Sequence, residues 1–291
     1  MTLDTMTMDS RRIPARPDLA AAHLKGKVEA ERYTQATPLA VSVPLAPLTA
    51  RPDGEAPLDS QLLYGEGFAA YEQDGGWAWG QADGDGYVGY VPRACLMRAG
   101  PAPTHRVSQP MTHVYPAPAK KTRPVGWLSY GALVRVEGAE AGFAALATGG
   151  FVPAPHLAPR DAAVVDWVAE AERLLGIPYL WGGRGSTGLD CSALVQLALQ
   201  AAGCGCPRDS DMQEAELGRT LAPGTAPQRG DLMFWAGHVG IMLDPARLLH
   251  SNGLNMAVGI ETLETVRVRI LTAGDGPVTR HARLDGSAGD R

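Results

Sequence analysis

Short runs of alternating apolar and polar residues occupy the first part of the chain. Such runs span residues 40–45, 67–71, 76–81 and 87–92. Alternation with a period of two predicts β-strands, and the segment Asp83-Gly84-Asp85-Gly86 predicts a tight turn between the last two of them. Several short strands at this spacing are typical of a small β-barrel. We therefore predict one barrel over residues 37–100, preceded by an N-terminal extension over residues 1–36.

A second set of short apolar runs follows with a similar layout. These runs cover residues 126–128, 131–136, 143–146 and 149–153. The sequence glycine-aromatic-valine-proline closes both sets, at residues 89–92 and again at residues 150–153. Recurrence of one pattern at a fixed place indicates a repeated structural unit. We predict a second barrel over residues 101–158, formed by a diverged tandem repeat.

The pattern changes to a helical period after Pro159. Residues 161–175 place their apolar side chains on one helical face, with Asp161 able to cap the helix and Gly176 able to end it. Residues 189–202 predict a second helix. The strand-like segments 231–235, 238–243, 248–251 and 266–271 follow, and the polar tail from Asp275 is expected to be loose. Helices followed by strands predict an α+β domain over residues 159–285.

Composition limits the classes of partner and the expected compartment. The net charge of -5 shows no basic excess, so we expect no nucleic-acid binding. The sequence has no apolar run long enough for a signal-peptide core or a membrane span, which predicts a cytoplasmic protein with no membrane partner. Four cysteines in 291 residues do not make a disulfide framework, and this agrees with a reducing compartment.

Cys191 is the strongest candidate for chemistry. It lies where the glycine-rich segment before residue 189 meets the second predicted helix. Unpaired N–H groups and the helix dipole at such a position favour a thiolate, so we expect a lowered thiol pKa. His238 and His250 occur on neighbouring predicted strands and can supply a base and its partner. Spacing alone also permits a passive buried Cys191 and a purely capping role for Asp190.

Four motifs together resemble a known family. Residues 178–183 (Pro-Tyr-Leu-Trp-Gly-Gly), 188–192 (Gly-Leu-Asp-Cys-Ser), 229–235 (Arg-Gly-Asp-Leu-Met-Phe-Trp) and 238–241 with His250 look like the NlpC-type cysteine peptidases. The resemblance implies a papain-like α+β fold that hydrolyses peptide bonds of bacterial murein stems. It also implies Cys191 as the nucleophile, His238 as the base and His250 as the residue that orients the base. We expect no cofactor and no metal.

A narrower resemblance concerns the substrate. The segment Pro207-Arg208-Asp209-Ser210, together with two SH3-like barrels ahead of the peptidase domain, is similar to the γ-D-glutamyl-L-diamino-acid endopeptidases. The resemblance implies a murein-derived tri- or tetrapeptide with a free N-terminal L-alanine, cut before diaminopimelate or lysine. The residues that would bind this substrate are Tyr179, Asp190, Ser192, Asp209 and Ser210, with Glu66 and Tyr87 from the first barrel.

Three alternatives remain open at this point. Cys191, Cys204, Cys206, His238 and His250 can nominally form a zinc site, although Cys204-Gly205-Cys206 lacks the usual ligand spacing. The barrels can bind cell wall beside an inert catalytic-looking domain, since a fold does not fix a function. The same cysteine chemistry can also serve an amidase or acyltransferase that acts on another acyl substrate.

Overall fold

The computed structural model describes residues 9–284, which fall into two compact units divided between Ala102 and Pro103. Each unit contains its own strands and its own buried apolar residues. Within the described residues, no helix is long and apolar enough to cross a membrane.

The first unit is built from short strands, most of them antiparallel. Its elements are β1 Leu19–Ala21, a 3₁₀ turn Ala22–Leu24, β2 Arg32–Thr34, β3 Thr37–Val41, β4 Leu45–Leu48, β5 Ser60–Leu63, β6 Gly67–Asp74, β7 Trp77–Ala82, β8 Val88–Pro92, a 3₁₀ turn Arg93–Cys95 and β9 Leu96–Arg98. A five-stranded sheet has the order β8-β7-β6-β3-β9, and β4 pairs with β5. The predicted strands of the first barrel are therefore present, although residues 40–45 belong to two strands, β3 and β4.

Within the predicted N-terminal extension, the described residues 9–36 pack onto this sheet. Its strands β1 and β2 pair in parallel with each other. The guanidinium of Arg16 lies 4.3 Å from the ring centroid of Trp79 and donates hydrogen bonds to Glu72 and Tyr90. Cation–π stacking combined with hydrogen bonds to charged groups fixes the extension against the sheet.

The second unit begins with a repeat of the same pairing scheme. Its first elements are β10 His105–Val107, β11 Met111–Val114, β12 Gly126–Ser129, β13 Leu133–Val134, β14 Val136–Glu140, β15 Phe143–Leu146, β16 Phe151–Pro153, a 3₁₀ turn Ala154–His156 and β17 Leu157–Pro159. In both copies a Val-Pro strand end leads through a 3₁₀ turn into a last strand that pairs with the first, β9 with β3 and β17 with β10. The two segments therefore share one order of strand pairing, and the tandem repeat of barrels stays a prediction.

The remainder of the second unit combines helices with a six-stranded antiparallel sheet. The elements are α1 Trp167–Glu172, β18 Arg184–Gly185, β19 Gly188–Leu189, α2 Cys191–Ala201, α3 Ser210–Glu216, β20 Arg219–Thr220, β21 Asp231–Trp235, β22 His238–Met242, β23 Arg247–Asn252, β24 Ala257–Thr262, α4 Leu263–Ala273 and β25 Arg280–Arg283. The sheet order is β20-β25-β21-β22-β23-β24. Helix α2, which carries Cys191, packs against β22 and β23 and is buried along nearly its whole length.

The first helix of this region is shorter than predicted. The expectation of a helix over residues 161–175 capped by Asp161 is wrong, because α1 covers only Trp167–Glu172. The side chain of Asp166 caps it by accepting a hydrogen bond from the Ala169 N–H. The backbone N–H of Val164 instead donates to the carbonyl of Ala201, so the preceding residues follow the end of α2 rather than forming a helical turn.

The predicted strand over residues 266–271 is also wrong, since these residues lie in α4. Thr262 caps the helix through its hydroxyl, which accepts a hydrogen bond from the Thr265 N–H, and Gly274 ends it with a φ of 91°. Val266 is fully buried in a cluster with Leu263 and Ile270, whereas Val268 is 54% exposed. A strand would place Val266 and Val268 on one face, but a helix turns them apart.

Residues 280–283 of the polar tail form a strand, β25, rather than a loose end, and residues 285–291 lie outside the described part of the chain. Strand β25 pairs with β21, with Ala282 opposite Leu232. Asp231 is fully buried and accepts hydrogen bonds from the side chains of Arg283 and His281. These charge-assisted bonds hold β25 on the sheet, although its sequence is mostly polar.

Because α4 is a helix, truncation of Val266 and truncation of Val268 should change the free energy of unfolding by different amounts. We expect Val266→Ala to lower the free energy of unfolding by about 2 kcal/mol, because two buried methyl groups and their packing are lost. We expect Val268→Ala to change it by no more than about 0.5 kcal/mol, because this side chain faces solvent. Urea denaturation of both variants measures the difference, and equal losses would contradict the helix.

Candidate active site

The nucleophile candidate Cys191 is the first residue of α2. It is 7% exposed, and its thiol accepts hydrogen bonds from the backbone N–H groups of Ser192 and Val239. Burial raises the pKa of the Cys191 thiol to about 12, and the negative charge of Asp190 adds to this effect, while the two N–H groups oppose it. The lowered pKa expected from the helix N-terminus is therefore wrong, because desolvation outweighs the N–H groups.

The hydrogen bond to Val239 brings the thiol to the beginning of β22, where His238 is the neighbouring residue. Burial lowers the pKa of His238 to about 3, with smaller contributions from the neighbouring His250 and from the positive charge of Arg269. The imidazole is therefore neutral near neutral pH and can accept a proton. Burial therefore favours the neutral form of both the Cys191 thiol and the His238 imidazole.

His250 lies on the neighbouring strand β23 and is completely buried. Its Nδ1 atom is 2.9 Å from Nε2 of His238, and the two rings are 5.1 Å apart at an angle of 66°. The other nitrogen, Nε2, is 2.9 Å from Oε2 of Glu261 on β24. Burial lowers the pKa of His250, although Glu261 opposes this shift. The three side chains therefore form a continuous hydrogen-bonded row across three strands.

The carboxylate of Asp190 organises the residues around the nucleophile. It accepts five hydrogen bonds: Oδ1 from Ala193 N, Ser192 Oγ and Arg208 Nη1, and Oδ2 from Gly182 N and Arg208 Nη2. The bond from Ala193 caps α2, as the spacing permitted. The bidentate pair with Arg208, whose side chain is 1% exposed, neutralises the carboxylate inside the protein.

Two chain segments hold the nucleophile's loop in place. The hydroxyl of Ser251 on β23 donates to the carbonyl of Leu189 at 2.7 Å, and Leu189 N donates to Pro178 O at 2.9 Å. A side chain at Gly188 would put its Cβ 2.4 Å from the Cβ of Leu180, so only glycine fits there. These constraints fix the backbone that leads into Cys191.

Tyr179 lies beside the same loop. Its backbone N–H donates to the carbonyl of Met256 at 2.8 Å, which ties it to the turn between β23 and β24. Burial raises the pKa of the Tyr179 phenol to about 12, with further contributions from Cys191 and Asp190. The structure therefore brings Tyr179 to the neighbourhood of both residues.

The other predicted substrate-binding residues divide between the two units. Ser192 is 5% exposed, its hydroxyl accepts a hydrogen bond from Arg208, and its carbonyl accepts one from Gln213. Ser210 begins α3, directly after Asp209. Glu66 and Tyr87 lie in the first unit, where the Glu66 carboxylate accepts a hydrogen bond from Leu63 N at 2.7 Å and Tyr87 is 6% exposed. Substrate binding by these residues stays a prediction.

Sequence reasoning did not identify two residues of this site. Glu261 lies on β24, which the sequence pattern does not predict, and Arg208 enters the sequence analysis only as part of the segment Pro207-Arg208-Asp209-Ser210. The available signals were the alternation in Val258-Gly259-Ile260-Glu261 and the presence of an arginine shortly after a buried acid. Neither signal specifies a three-dimensional partner.

The cysteines show no grouping typical of a metal site. The four cysteines, all within the described residues, form no disulfide, and the sulfur of Cys206 accepts a hydrogen bond from the Gln213 side chain. Across residues 9–284, no three His, Cys, Asp or Glu side chains converge as potential metal ligands.

A cysteine at the head of a buried helix, beside a histidine pair on an antiparallel sheet, defines the papain-like class of cysteine peptidase. Residues 176–269 match the NlpC/P60 family, and residues 48–96 match the bacterial dipeptidyl-peptidase SH3 domain. A solved structure of an NlpC/P60 family protein from Bacillus cereus has the same fold, with a TM-score of 0.72 at 19% identity, covering 85% of this chain and 99% of that one.

Curated relatives agree with this class. The γ-D-glutamyl-L-lysine dipeptidyl-peptidase of Bacillus subtilis is 26% identical over 238 residues, covering 74% of this chain and 80% of that protein. The probable endopeptidase p60 of Listeria monocytogenes is 35% identical over 89 residues, which cover 29% of this chain and 18% of that protein. The protein is therefore a cysteine peptidase that combines an NlpC/P60 domain with an N-terminal bacterial SH3 domain, which confirms the class and the fold predicted from the sequence.

The Asp190–Arg208 pair predicts a large loss of stability when its negative charge is removed. We expect Asp190→Asn to lower the free energy of unfolding by about 3–5 kcal/mol, because the buried guanidinium keeps its charge without a counter-ion. Chemical denaturation measures the loss. The matched control is Glu264→Gln, which removes a carboxylate from the exposed pair with Arg267 and should cost less than about 1 kcal/mol. Similar values for the two variants would contradict the role given to Asp190.

Proposed function

We propose that Cys191, His238 and His250 are the catalytic residues of an endopeptidase that cuts the γ-D-glutamyl–L-diamino acid bond of murein peptides. The catalytic part of this proposal rests on the location of the Cys191 thiol. The thiol accepts a hydrogen bond from the N–H of Val239, the residue next to His238, and the His238 ring is hydrogen-bonded to His250. A nucleophile, a base and a residue that orients the base are the parts of an activated-nucleophile mechanism.

The reaction proceeds in two stages. The imidazole of His238 takes the proton of the Cys191 thiol as the sulfur attacks the γ-carbonyl of the D-glutamyl residue, and N–H groups at the start of α2 stabilise the oxyanion. The C–N bond then breaks, the amine leaves with the proton from His238, and a thioester remains. Water, deprotonated by His238, attacks the thioester and releases the peptide acid and the free thiol.

The substrate assignment is supported by the relatives. The Bacillus subtilis protein, matched over most of both chains, is named for the γ-D-glutamyl-L-lysine bond, and the SH3 family that matches residues 48–96 is named for dipeptidyl-peptidases. We propose the same bond here, with lysine or diaminopimelate after the glutamate. Turnover of tri- or tetrapeptide fragments inside the cell fits this substrate.

Recognition of a free L-alanine amine requires a negative charge in the pocket. Asp190 already forms an ion pair with Arg208, so the pair has no net negative charge with which to bind an incoming ammonium group. We propose that Asp209, next to Arg208 in the chain, supplies the additional charge. Tyr179, Ser192 and Ser210 would then provide hydrogen bonds. For Glu66 and Tyr87 the sequence resemblance is the support.

Removing the nucleophile tests the catalytic assignment. We expect Cys191→Ala to reduce kcat on L-Ala-γ-D-Glu-diamino acid peptides by on the order of 10³-fold or more, because covalent catalysis is lost. Mass spectrometry of the digested peptides measures the turnover, and far-UV circular dichroism checks the fold. Cys204→Ala is the matched control and should retain normal turnover. A Cys191→Ala variant with the turnover of this control would rule out the assignment.

Blocking the substrate amine tests the recognition of its N-terminus. We expect N-acetylation to lower kcat/KM by on the order of 10²-fold or more, because a pocket built for a charged donor rejects a ligand that lacks it. Steady-state kinetics on free and acetylated peptides of the same sequence give the ratio.

An Asp209 variant locates the charge responsible for this preference. Asp209→Asn should raise KM for the free peptide by roughly tenfold, which is the scale of one charge-assisted hydrogen bond. The difference in kcat/KM between the free and the N-acetylated peptide should become smaller. Asp211→Asn, a nearby exposed change, is the control. If both peptides were cut at the same rate by the unaltered enzyme, recognition of the amine would be disproved.

A further inference from the structure

Glu261 contacts the buried histidine of the row but plays no part in the catalytic scheme given above. Its Oε2 atom lies 2.9 Å from Nε2 of His250. Strand register explains the contact, since Leu248 pairs with Glu261 and both Glu261 and His250 lie on the same face of the sheet. A long side chain on β24 thereby reaches diagonally to His250 on β23.

The surroundings of Glu261 keep its carboxylate ionised. Arg269 on α4 donates to both oxygens, at 2.5 Å to Oε1 and 3.0 Å to Oε2, and Asn255 donates to Oε2 at 3.3 Å. Burial alone would raise the pKa of Glu261, but the hydrogen bonds from Arg269 and His250 outweigh it and lower the pKa. An ionised carboxylate can only accept hydrogen bonds.

This property determines the proton positions on both histidines. Nε2 of His250 lies 2.9 Å from Oε2 of Glu261 and 3.2 Å from the amide nitrogen of Asn252, which also donates to Oε2 at 3.5 Å. Because the ionised Glu261 can only accept and makes the shorter contact, Nε2 of His250 carries a proton, and a neutral His250 then has an unprotonated Nδ1. Nδ1 of His250 accepts a hydrogen bond, so Nε2 of His238, at 2.9 Å, must be the donor. The neutral His238 is left with its lone pair on Nδ1, the nitrogen that is not engaged with His250.

We propose that Glu261 is a positioning residue that fixes the tautomers of His250 and His238 in sequence, so that Nδ1 of His238 is the basic nitrogen that takes the proton of Cys191. The inference rests on the proposed catalytic role of Cys191 and His238 and adds a fourth member to the row. Arg269 supports it by holding the carboxylate in place and by keeping it charged.

The tautomers can be measured without any assay of activity. In protein labelled with ¹⁵N at histidine, long-range ¹H–¹⁵N correlation spectra near pH 7 distinguish Nδ1–H from Nε2–H. Single His→Gln variants assign the signals of His238 and His250. We expect the Nε2–H form for both residues. A neutral His250 in the Nδ1–H form would overturn the inference, whatever the enzyme's activity.

Substitution of Glu261 should change the same signals. In Glu261→Leu we expect the Nδ1–H form of His250 to become populated. We also expect kcat to fall by on the order of tenfold or more. The reduction should be smaller than the roughly 10⁴-fold reduction that follows when a triad carboxylate in direct contact with the base is replaced by its amide. KM should stay nearly constant, because the loss concerns the transition state.

The controls separate this inference from the proposed function. Glu264→Leu, a change on the exposed side of α4, should leave tautomers and kcat unaltered. If Cys191→Ala kept its turnover, the catalytic assignment would fail while the tautomer result would still stand. If Cys191→Ala were inactive and Glu261→Leu kept wild-type tautomers and kcat, only the role of Glu261 would be refuted.

Discussion

The buried ion pair between Asp190 and Arg208 is the interaction on which the arrangement of the residues around Cys191 depends. One carboxylate caps the helix that begins with Cys191, binds the N–H of Gly182 in the preceding loop and holds the hydroxyl of Ser192. A charge in this position is tolerated only because Arg208 compensates it and five donors satisfy its oxygens. Asp190 consequently fixes the start of α2, the preceding loop at Gly182 and the side chain of Ser192. It can do so without contacting the reacting atoms.

Burial also determines how the peptidase must be activated. It raises the pKa of Cys191 and lowers that of His238, so both partners are neutral before substrate arrives. In the proposed mechanism the ion pair between thiolate and imidazolium forms only during attack on the substrate, because burial disfavours both charges at rest. The negative charge of Glu261 partly opposes the lowering of the pKa of His238 and His250, so it would favour the imidazolium formed in that step.

Much of this structure could be predicted from sequence because it is encoded locally. The short alternating strands, the helix from Cys191 and its capping by Asp190 follow from period and from neighbouring residue types. The elements that could not be predicted depend on distant contacts. Residues 266–271 fit a period of two, but burial of Val266 against the sheet and the Thr262 cap select a helix. Strand β25 is polar and is held by its pairs with buried Asp231.

The row from His238 to Glu261 illustrates why part of the site lies beyond sequence patterns. Each member occupies a different strand, and the contacts require a particular register between β23 and β24. A shift by one residue would turn Glu261 to the opposite face of the sheet and leave His250 buried without its acceptor. Since an unpaired buried imidazole N–H is costly, the hydrogen bond between His250 and Glu261 also favours the correct register. The same contact therefore contributes to strand pairing and, through His250, to the position of the His238 ring.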